Sequence, residues 1–378
     1  MSVLVIAVIL TALAFDFTNG FHDTANAMAT SIATGALRPR VAVLLAGALN
    51  LIGAFLSVQV ALTISSGLVD EARITPQVIF GALSGAILWN LLTWLAGLPS
   101  SSSHALFGGL IGGTWVFAGS GAIHLSTVVD MVLVPLALSP VVAGLVALAA
   151  TWIAYRIAAL GDRRTIARGF RNAQVVSASM VALAHGTNDA QKTMGVITLT
   201  LITVGLLPAR SAPPLWVVLL CGAAIAAGTA MGGWRIIRTL GHRISTIEST
   251  QGFVAEAAST AVILSSANLG FALSTTQVTT GAVLGSATGG RPGSVRWSVA
   301  ATMLGGWLLT LPAAAVLGAL AAWTASRGTV GTVVVGGTLV VLAVLIRLIA
   351  RHRPVTAASV NDAPSAQPTV AAPARAAA

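Results

Sequence analysis

The sequence predicts an all-α integral membrane protein built from two inverted repeats. Of its 378 residues, 56% are hydrophobic and only 8% are charged, whereas soluble domains carry about 25% charged residues. Its apolar runs reach the roughly 20 residues that a helix needs to cross a bilayer, and backbone hydrogen bonding in lipid favours helices. Two polar motifs occur once in each half of the chain, which predicts the repeat.

In the first half, polar stretches divide the apolar runs into helices. Helix 1 has such a stretch near Asp16 to Gly20, and we expect the helix to be interrupted there because glycine permits a break. A serine-rich turn joins two shorter helices into a hairpin. The expected elements are helix 1 at 2–36, helix 2 at 41–65, hairpin helices at 77–97 and 104–119, and helix 3 at 127–158.

The second half follows the same order and ends in a further helix and a tail. We expect a second interrupted helix, broken at Gly186, and a second hairpin. The elements are helix 4 at 173–207, helix 5 at 214–233, hairpin helices at 251–270 and 277–288, helix 6 at 295–323 and helix 7 at 329–350. The predicted division is a first repeat at 1–160, a basic cytoplasmic loop at 161–172, a second repeat at 173–325, an extra transmembrane helix at 326–350 and a disordered cytoplasmic tail at 351–378.

The arginines predict the orientation of these helices. If helix 1 starts outside and each hairpin returns to its own side, fifteen arginines lie inside and three outside. Short cytoplasmic loops carry an excess of basic residues. We therefore expect a multi-pass plasma-membrane protein with its N-terminus outside and its C-terminus in the cytoplasm. The net charge of +10 reflects this topology and does not indicate a nucleic-acid partner.

The most informative feature is a polar motif in helix 1 that returns in helix 4. The first copy runs from Asn19 to Asn26 and the second from His185 to Lys192. Aligned on the motif glycine, at an offset of 166 residues, Asp23 matches Asp189. Ionisable residues at membrane depth cost a few kcal/mol each, so they are usually retained for function.

The hairpin turns repeat as well. Ser100–Ser103 aligns with Leu273–Thr276, and Gly108 then matches Gly281 at an offset of 173 residues. By the predicted topology the two halves enter the membrane in opposite directions. Inverted halves are typical of secondary transporters that bind their substrate near the bilayer midplane.

The motif side chains suit a coupling cation. The carboxylates of Asp23 and Asp189 and the amides of Asn26 and Asn188 offer the oxygen ligands that hard cations such as Na⁺ prefer, and a carboxylate can also carry a proton. The alternative is that the glycines and asparagines only kink and pack the bundle. The hydroxyls of the hairpin turns suit an oxyanion held at helix N-termini, or they only cap exposed turns.

Four basic side chains could relay a proton or balance charge. Histidine can relay protons at neutral pH, but His22, His104 and His185 could equally form interhelical hydrogen bonds. Lys192 is the only lysine of the chain and could balance Asp189 or attract an anion.

These motifs resemble the inorganic phosphate transporter (PiT) family in its bacterial low-affinity form. The resemblance rests on Asn19–Ala27, His185–Lys192 and the Pro99–His104 turn, and it covers about residues 1–350. It implies inverted repeats with two re-entrant helical hairpins, and phosphate symport driven by H⁺ or Na⁺. The implied coupling-cation site consists of Asp23, Asn26, Asn188 and Asp189. The implied phosphate ligands are Ser101, Ser102, Ser103, Ser274, Thr275 and Thr276.

The chain departs from the family pattern at three positions. Ala272 and Gln277 stand where the family usually has Pro and His, which puts a role for that His in doubt. Lys192 stands where the first motif has Asn26, so the second cation site is either modified or filled by the lysine charge.

The expected function is import of inorganic phosphate by alternating access, with phosphate taken as the free anion or as a neutral metal complex. We expect no enzymatic activity and no cofactor beyond the co-transported H⁺ or Na⁺. The expected partners are phosphate and the lipid bilayer, and a homodimer is left open. Alternatives are transport of sulfate or another oxyanion, a passive channel, or an intramembrane metallohydrolase. The last would use as metal ligands His22, Asp23, His104, His185 and Asp189.

Overall fold

A computed structural model describes residues 2–159, 162–290, 293 and 295–362. In these residues the secondary structure is helical, and the one β-type contact is an isolated bridge between Val69 and Ile123. The α-helices are α1 (Val3–Ala33), α2 (Pro39–Gly53), α3 (Gln59–Gly67), α4 (Pro76–Ala96), α5 (Ser102–Ala118), α6 (Leu125–Val128), α7 (Val134–Ala158), α8 (Arg163–Thr203), α9 (Leu215–Met231), α10 (Trp234–Arg238), α11 (Ser249–Asn268), α12 (Thr275–Gly290), α13 (Trp297–Ala325) and α14 (Thr329–Arg351).

Several helices are long and apolar enough to span a membrane. Within the described residues there are five such stretches: α1, α4, Leu125–Ala158, α13 and α14. A sixth results if α9 and Trp234–Arg243, which meet at a bend of 57°, form one span. The predicted all-α membrane architecture is therefore confirmed. Predicted helix 2 differs in detail, because a turn at 54–58 divides it into α2 and α3. The predicted loop at 161–172 is wrong for most of its length, because α8 begins at Arg163, after the N-cap Asp162, and continues into predicted helix 4.

The two motif helices are continuous, so the prediction that helices 1 and 4 are broken is wrong. α1 runs through Gly20 and α8 runs through Gly186 without interruption. Both glycines serve close helix packing instead. A Cβ on Gly20 would lie 2.3 Å from the carbonyl oxygen of Ile225 in α9, and one on Gly186 would lie 2.3 Å from that of Asn50 in α2. A side chain at either position would collide with the neighbouring backbone.

Both predicted hairpins are present as pairs of helices, α4–α5 and α11–α12. α4 ends at Ala96 and is followed by Gly97, whose backbone is left-handed (φ 66°). Glycine is favoured there because it has no Cβ atom. α5 begins after the N-cap Ser101, whose Oγ accepts a hydrogen bond from the backbone N–H of His104. α12 begins at Thr275. That each pair re-enters the membrane from its own side stays a prediction.

Each hairpin packs on the last helix of the opposite half. α5 lies against α13, and α12 lies against α7. A Cβ on Gly108 would lie 2.4 Å from the carbonyl oxygen of Leu311, and one on Gly281 would lie 2.2 Å from that of Pro140. The two glycines that make these matched contacts are the ones that the sequence alignment pairs. The opposite orientation of the two halves in the membrane stays a prediction.

The chain that follows α14 is ordered at its start, which corrects the prediction of a disordered tail for that part. Val360 is fully buried, and Asn361 Oδ1 lies 3.0 Å from His242 Nε2. The Arg235 guanidinium donates to the carbonyl oxygens of Ala350 and Arg353 at 2.9 and 2.7 Å. Apolar burial and these hydrogen bonds hold the segment against α10. The predicted tail at 363–378, the position of Arg291 and the side chains of Arg163 and Arg164 lie outside the described residues.

Candidate functional site

The middle of α1 and the middle of α8 meet the tips of both hairpins. Asp23 and Asp189, the aspartates of the two motifs, are 1% and 0% exposed. Hydroxyl groups from the hairpin tips surround them, and each of these residues is at most 2% exposed. They are Ser102 and Ser103 at the start of α5 and Thr275 and Thr276 at the start of α12. The site is thus closed to solvent in this conformation.

The carboxylate of Asp23, in the first motif, accepts one hydrogen bond from a hydroxyl group of each hairpin. Ser102 Oγ donates to Asp23 Oδ2 at 2.7 Å, and Thr276 Oγ1 donates to Oδ1 at 3.4 Å. The Nδ1 atom of His22 lies 2.5 Å from Oδ1. The other ring nitrogen of His22 lies 3.3 Å from the hydroxyls of Thr93 and Ser100. The carboxylate is therefore held by neutral donors and one histidine.

Asp189, in the second motif, has a full positive charge beside it. The ammonium group of Lys192 donates to Asp189 Oδ1. The Nε2 atom of His185 lies 3.0 Å from Oδ2, and Thr275 Oγ1 donates to the same oxygen at 3.0 Å. Asn188 Nδ2 donates to Oδ1 at 2.8 Å. Both carboxylate oxygens are thus saturated by groups of the protein.

The hairpin tips also touch each other at this point. Ser103 Oγ donates to the carbonyl oxygen of Leu273 at 3.2 Å and accepts a hydrogen bond from Lys192 Nζ at 2.5 Å. The amide of Asn26 donates to Thr276 Oγ1 at 3.0 Å. One helix from each hairpin therefore begins at the site, and both beginnings carry hydroxyl side chains.

This arrangement suits an oxyanion. Backbone N–H groups and the partial positive charge at helix N-termini favour anions. The hydroxyls of the hairpin tips are further donors, and the ammonium of Lys192 adds a positive charge next to Ser103. The amide oxygens of Asn26 and Asn188 have no hydrogen-bond partner among the described residues. They remain as acceptors for a cation or for an O–H group.

Three predicted site residues play a local part in the structure. Ser101 Oγ caps α5 and lies 2.5 Å from His104 Nδ1, so these two side chains pair with each other. Ser274 Oγ accepts from the backbone N–H of Gln277 at 3.4 Å and caps α12 in the same manner. None of the three is seen to touch the aspartates, whereas the other predicted site residues form the cluster described above.

Several polar residues next to the site were missed by sequence reasoning. Asn50 of α2 lies between the two halves, because its side chain contacts His185 Nδ1 at 3.2 Å and donates to Thr229 Oγ1 at 2.7 Å. Asp16 is fully buried in α1. The available signal for Asp16 was its charge within an apolar helix, but its place close to Gly20 favoured the edge of a helix break instead.

Glu256 of α11 lies in a separate polar cluster. Its carboxylate accepts from Thr30 Oγ1 at 2.5 Å, Ser177 Oγ at 2.5 Å and Gln174 Nε2 at 3.2 Å. The sequence offered no partner for this residue, because its three donors come from α1 and α8, far away along the chain.

A metal site is the remaining alternative for the aspartate cluster. One ligand atom each of Asp23, His185 and Asp189 lies within 4.8 Å of the others. The ammonium of Lys192 already donates to one oxygen of Asp189. A metal ion on the same carboxylate would be repelled by that positive charge. The other two predicted metallohydrolase ligands, His22 and His104, are not in this group of three. His104 pairs with Ser101, and His22 pairs with Asp23.

Comparisons with known proteins show the family. The phosphate transporter family model matches residues 19–165 and 156–318. A probable low-affinity inorganic phosphate transporter of Mycobacterium bovis is 57% identical over 318 residues, covering 84% of this chain and 76% of the relative. One of Bacillus subtilis is 41% identical over 325 residues, covering 84% and 96%.

A solved structure shares the fold. The sodium-dependent phosphate transporter superposes with a TM-score of 0.77 at 23% identity, covering 85% of this chain and 98% of its own. The family match extends over both motifs and both hairpins, and the sequence relatives carry the same family name. The chain therefore belongs to the phosphate transporter family.

Proposed function

We propose that this protein imports inorganic phosphate by symport with protons and by alternating access. The members of its family are transporters and not enzymes, so a metallohydrolase is excluded. The observation that carries the proposal is the meeting of two hydroxyl-bearing helix N-termini at the paired aspartates, with Lys192 Nζ 2.5 Å from Ser103 Oγ.

Phosphate fits this site better than sulfate does. The site has donors in its hydroxyls, helix N-termini and ammonium, but it also has acceptors in the carboxylate of Asp23, whose Oδ2 accepts from Ser102 alone among the described residues, and in the amide oxygens of Asn26 and Asn188. Near neutral pH, phosphate carries a proton that it can donate to a carboxylate, whereas sulfate carries none. Sulfate has no proton to donate, so a buried acceptor of the protein that faces a sulfate oxygen would have no hydrogen bond. Such an unpaired buried acceptor is unfavourable.

A proton fits the coupling role better than Na⁺ does. Of the four residues expected to bind the coupling cation, Asp189 is already paired with the Lys192 ammonium, and Asn188 donates to it. On the other side, Asp23 has a histidine as its partner. The protein thus supplies its own cation where Na⁺ would bind. Entry of an anion against an inside-negative potential still needs imported positive charge, at about 2.3 kcal/mol per charge per 100 mV.

The orientation in the membrane is part of the proposal. The excess of arginines on one side supports a plasma-membrane protein with its N-terminus outside, its C-terminus in the cytoplasm and inverted halves. The matched contacts of the two hairpins with α13 and α7 support the repeat itself.

Uptake into proteoliposomes tests the proposal. Labelled phosphate is measured with an imposed pH gradient, with an Na⁺ gradient and with neither, and with sulfate as a competitor. We expect accumulation with the pH gradient alone and little inhibition by sulfate. Uptake indifferent to the pH gradient would contradict proton symport, and equal transport of sulfate would contradict the substrate.

A second comparison tests whether phosphate travels as a metal complex. Uptake is measured with Mg²⁺ and with a chelator at the same pH gradient. Transport of free phosphate predicts equal rates, whereas obligatory transport of a neutral metal phosphate predicts uptake that stops with the chelator. Ser102→Ala removes a hydroxyl at the site and should slow uptake in both assays, whereas its control Ser126→Ala, at an exposed serine, should leave uptake unchanged.

A further inference from the structure

Asp16 is a second acidic residue of α1, and the proposed site makes no use of it. It precedes Asp23 by seven residues, or about two helical turns, so both carboxyls project from the same face of α1. Asp16 is 0% exposed, and neither of its carboxyl oxygens has a hydrogen-bond partner among the described residues. An ionised carboxylate buried in this way is strongly unfavourable.

The polar groups that face Asp16 come from α8 and α9. They are the hydroxyl of Thr193, the charges of Asp189 and Lys192, and the thiol of Cys221. In the described part of the chain Thr193 Oγ1 also has no hydrogen-bond partner. α4, which packs on α1, contains no titratable residue.

The positive charges near Asp16 are already engaged. The ammonium of Lys192 is held by Asp189 and by Ser103 Oγ. On α1 itself, His22 and Asp23 pair with each other. In this closed conformation the neutral carboxylic acid is the form of Asp16 that the surroundings accommodate.

Asp16 also lies outside the duplicated pattern. At the offset of 166 residues that relates the two motifs, its counterpart is Ala182, which is buried and apolar. Asp23 and Asp189 build the central site as a pair, and Asp16 adds one unmatched carboxyl on the N-terminal side of it. Glu256, another unmatched buried carboxyl, differs because it has three hydrogen-bond donors.

We propose that Asp16 carries the co-transported proton, which rests on the proton symport proposed above. When the site opens to the outside, water reaches Asp16, and an O–H bond forms with a proton from the outer solution. The neutral side chain is then buried as the site closes around phosphate. When the site opens to the inside, the O–H bond breaks and the proton leaves to the inner solution with the phosphate.

Lys192 makes the return of the empty transporter possible. It precedes Thr193 in α8, the residue whose hydroxyl faces Asp16. Without phosphate, the ammonium turns to the ionised Asp16, so the empty site closes around an ion pair. With phosphate bound, the ammonium stays at Ser103 and Asp16 closes only with a proton. One lysine shared between two anions thus couples one proton to one phosphate.

The test compares two transport modes of Asp16→Asn in proteoliposomes. Exchange of internal for external labelled phosphate at equal pH moves no net proton, whereas accumulation needs the proton. A one-unit pH gradient supports about tenfold accumulation per proton. We expect Asp16→Asn to lose this accumulation and to keep exchange within about threefold of the native rate, since asparagine imitates the neutral acid. Asp130→Asn, at an exposed aspartate, is the matched control and should retain both modes.

Two results would overturn the proposal. One is accumulation by Asp16→Asn that follows the pH gradient as steeply as the native protein does. The other is loss of both modes in Asp16→Asn that Asp16→Glu does not restore, which would assign Asp16 a structural part. If the native protein itself ignores the pH gradient, the proposed proton symport fails, and this outcome is distinguishable because it needs no variant.

Discussion

The two copies of the motif have the same backbone frame but different partners. In the first copy, Asp23 is held by hydroxyls from both hairpins and by His22. In the second copy, Asp189 is held by the ammonium of Lys192, which occupies the position that Asn26 has in the first. A repeated frame therefore does not require a repeated charge balance, and one copy contains its own counter-charge.

The same comparison holds for the glycines of the two copies. Gly20 meets the backbone of α9, and Gly186 meets the backbone of α2, at the same 2.3 Å from a Cβ to a carbonyl oxygen. Here the copies are equivalent, because helix packing depends on the shape of the backbone. The copies differ in charge and agree in packing, and substitutions can separate these two properties.

The largest effect is expected for Lys192. Removing one partner of a buried ion pair costs about 3–5 kcal/mol, so Lys192→Ala should lower phosphate uptake by at least about 100-fold. Lys192→Asn would give the second copy the residue of the first, and uptake by that variant should respond to an Na⁺ gradient. Uptake under separate Na⁺ and pH gradients measures this. A variant that remains driven by pH alone would show that Lys192 does not replace a cation.

A smaller loss is expected for Asp23→Asn. The substitution keeps the size of the side chain but replaces the charged carboxylate that accepts hydrogen bonds from the hydroxyls of Ser102 and Thr276 with a neutral amide. A hydrogen bond to a charged group is worth about 1.5–3 kcal/mol, so coupled uptake should fall about 10- to 100-fold. Initial rates of labelled uptake are measured. Undiminished coupled uptake would show that transport does not need the charge of Asp23.

The glycines should affect stability equally in both copies. Gly20→Ala and Gly186→Ala place a methyl against backbone, and overpacking of this kind costs about 1–3 kcal/mol. Gly169→Ala in α8 is the control, because no atom beyond the neighbouring residues and backbone of its own helix lies within 4 Å of the added carbon, and it should be neutral or stabilising. Thermal unfolding in detergent measures the difference. A large effect in one copy only would contradict equivalent packing.

The smallest effect separates two neighbouring serines. Ser101→Ala removes a helix cap, which costs about 1 kcal/mol of stability. Ser102→Ala removes a donor at the site and should raise the KM for phosphate about tenfold. Unfolding and uptake are measured on both variants. A larger change of KM in Ser101→Ala than in Ser102→Ala would place phosphate at the cap and not at Asp23.

The sequence could predict the motif positions and the helix pairs for physical reasons. A charged residue in an apolar helix is costly, so Asp23 and Asp189 were visible without any structure. The serine- and threonine-rich turns stood out in the same manner. Alternating runs of apolar residues and turns also predicted the helices. Most of them lie within a few residues of the expected bounds, but α8 begins at Arg163, ten residues before the expected start of helix 4, and predicted helix 2 is divided into α2 and α3.

The interpretation of glycine failed because it depends on distant atoms. Gly20 is compatible with a helix break and with close packing, and only the carbonyl of Ile225, far along the chain, decides between them. For a related reason, the sequence did not show that the first residues after α14 are ordered. Val360 lies in a segment rich in alanine, proline, serine and threonine taken together, and it is buried in one apolar cluster with Ile236 and Ile237 of α10 and with Leu240.

The exchange of hairpins between halves has a consequence for biogenesis. α5 packs on α13, which is synthesised about two hundred residues later, and α12 packs on α7. Neither half alone can therefore bury the hairpin face that carries Gly108 or Gly281. During synthesis the small-residue surface of the first hairpin therefore stays uncovered, beside the insertion machinery or in lipid, until α13 has been made. Folding of the whole molecule is complete only when α13 has entered the membrane.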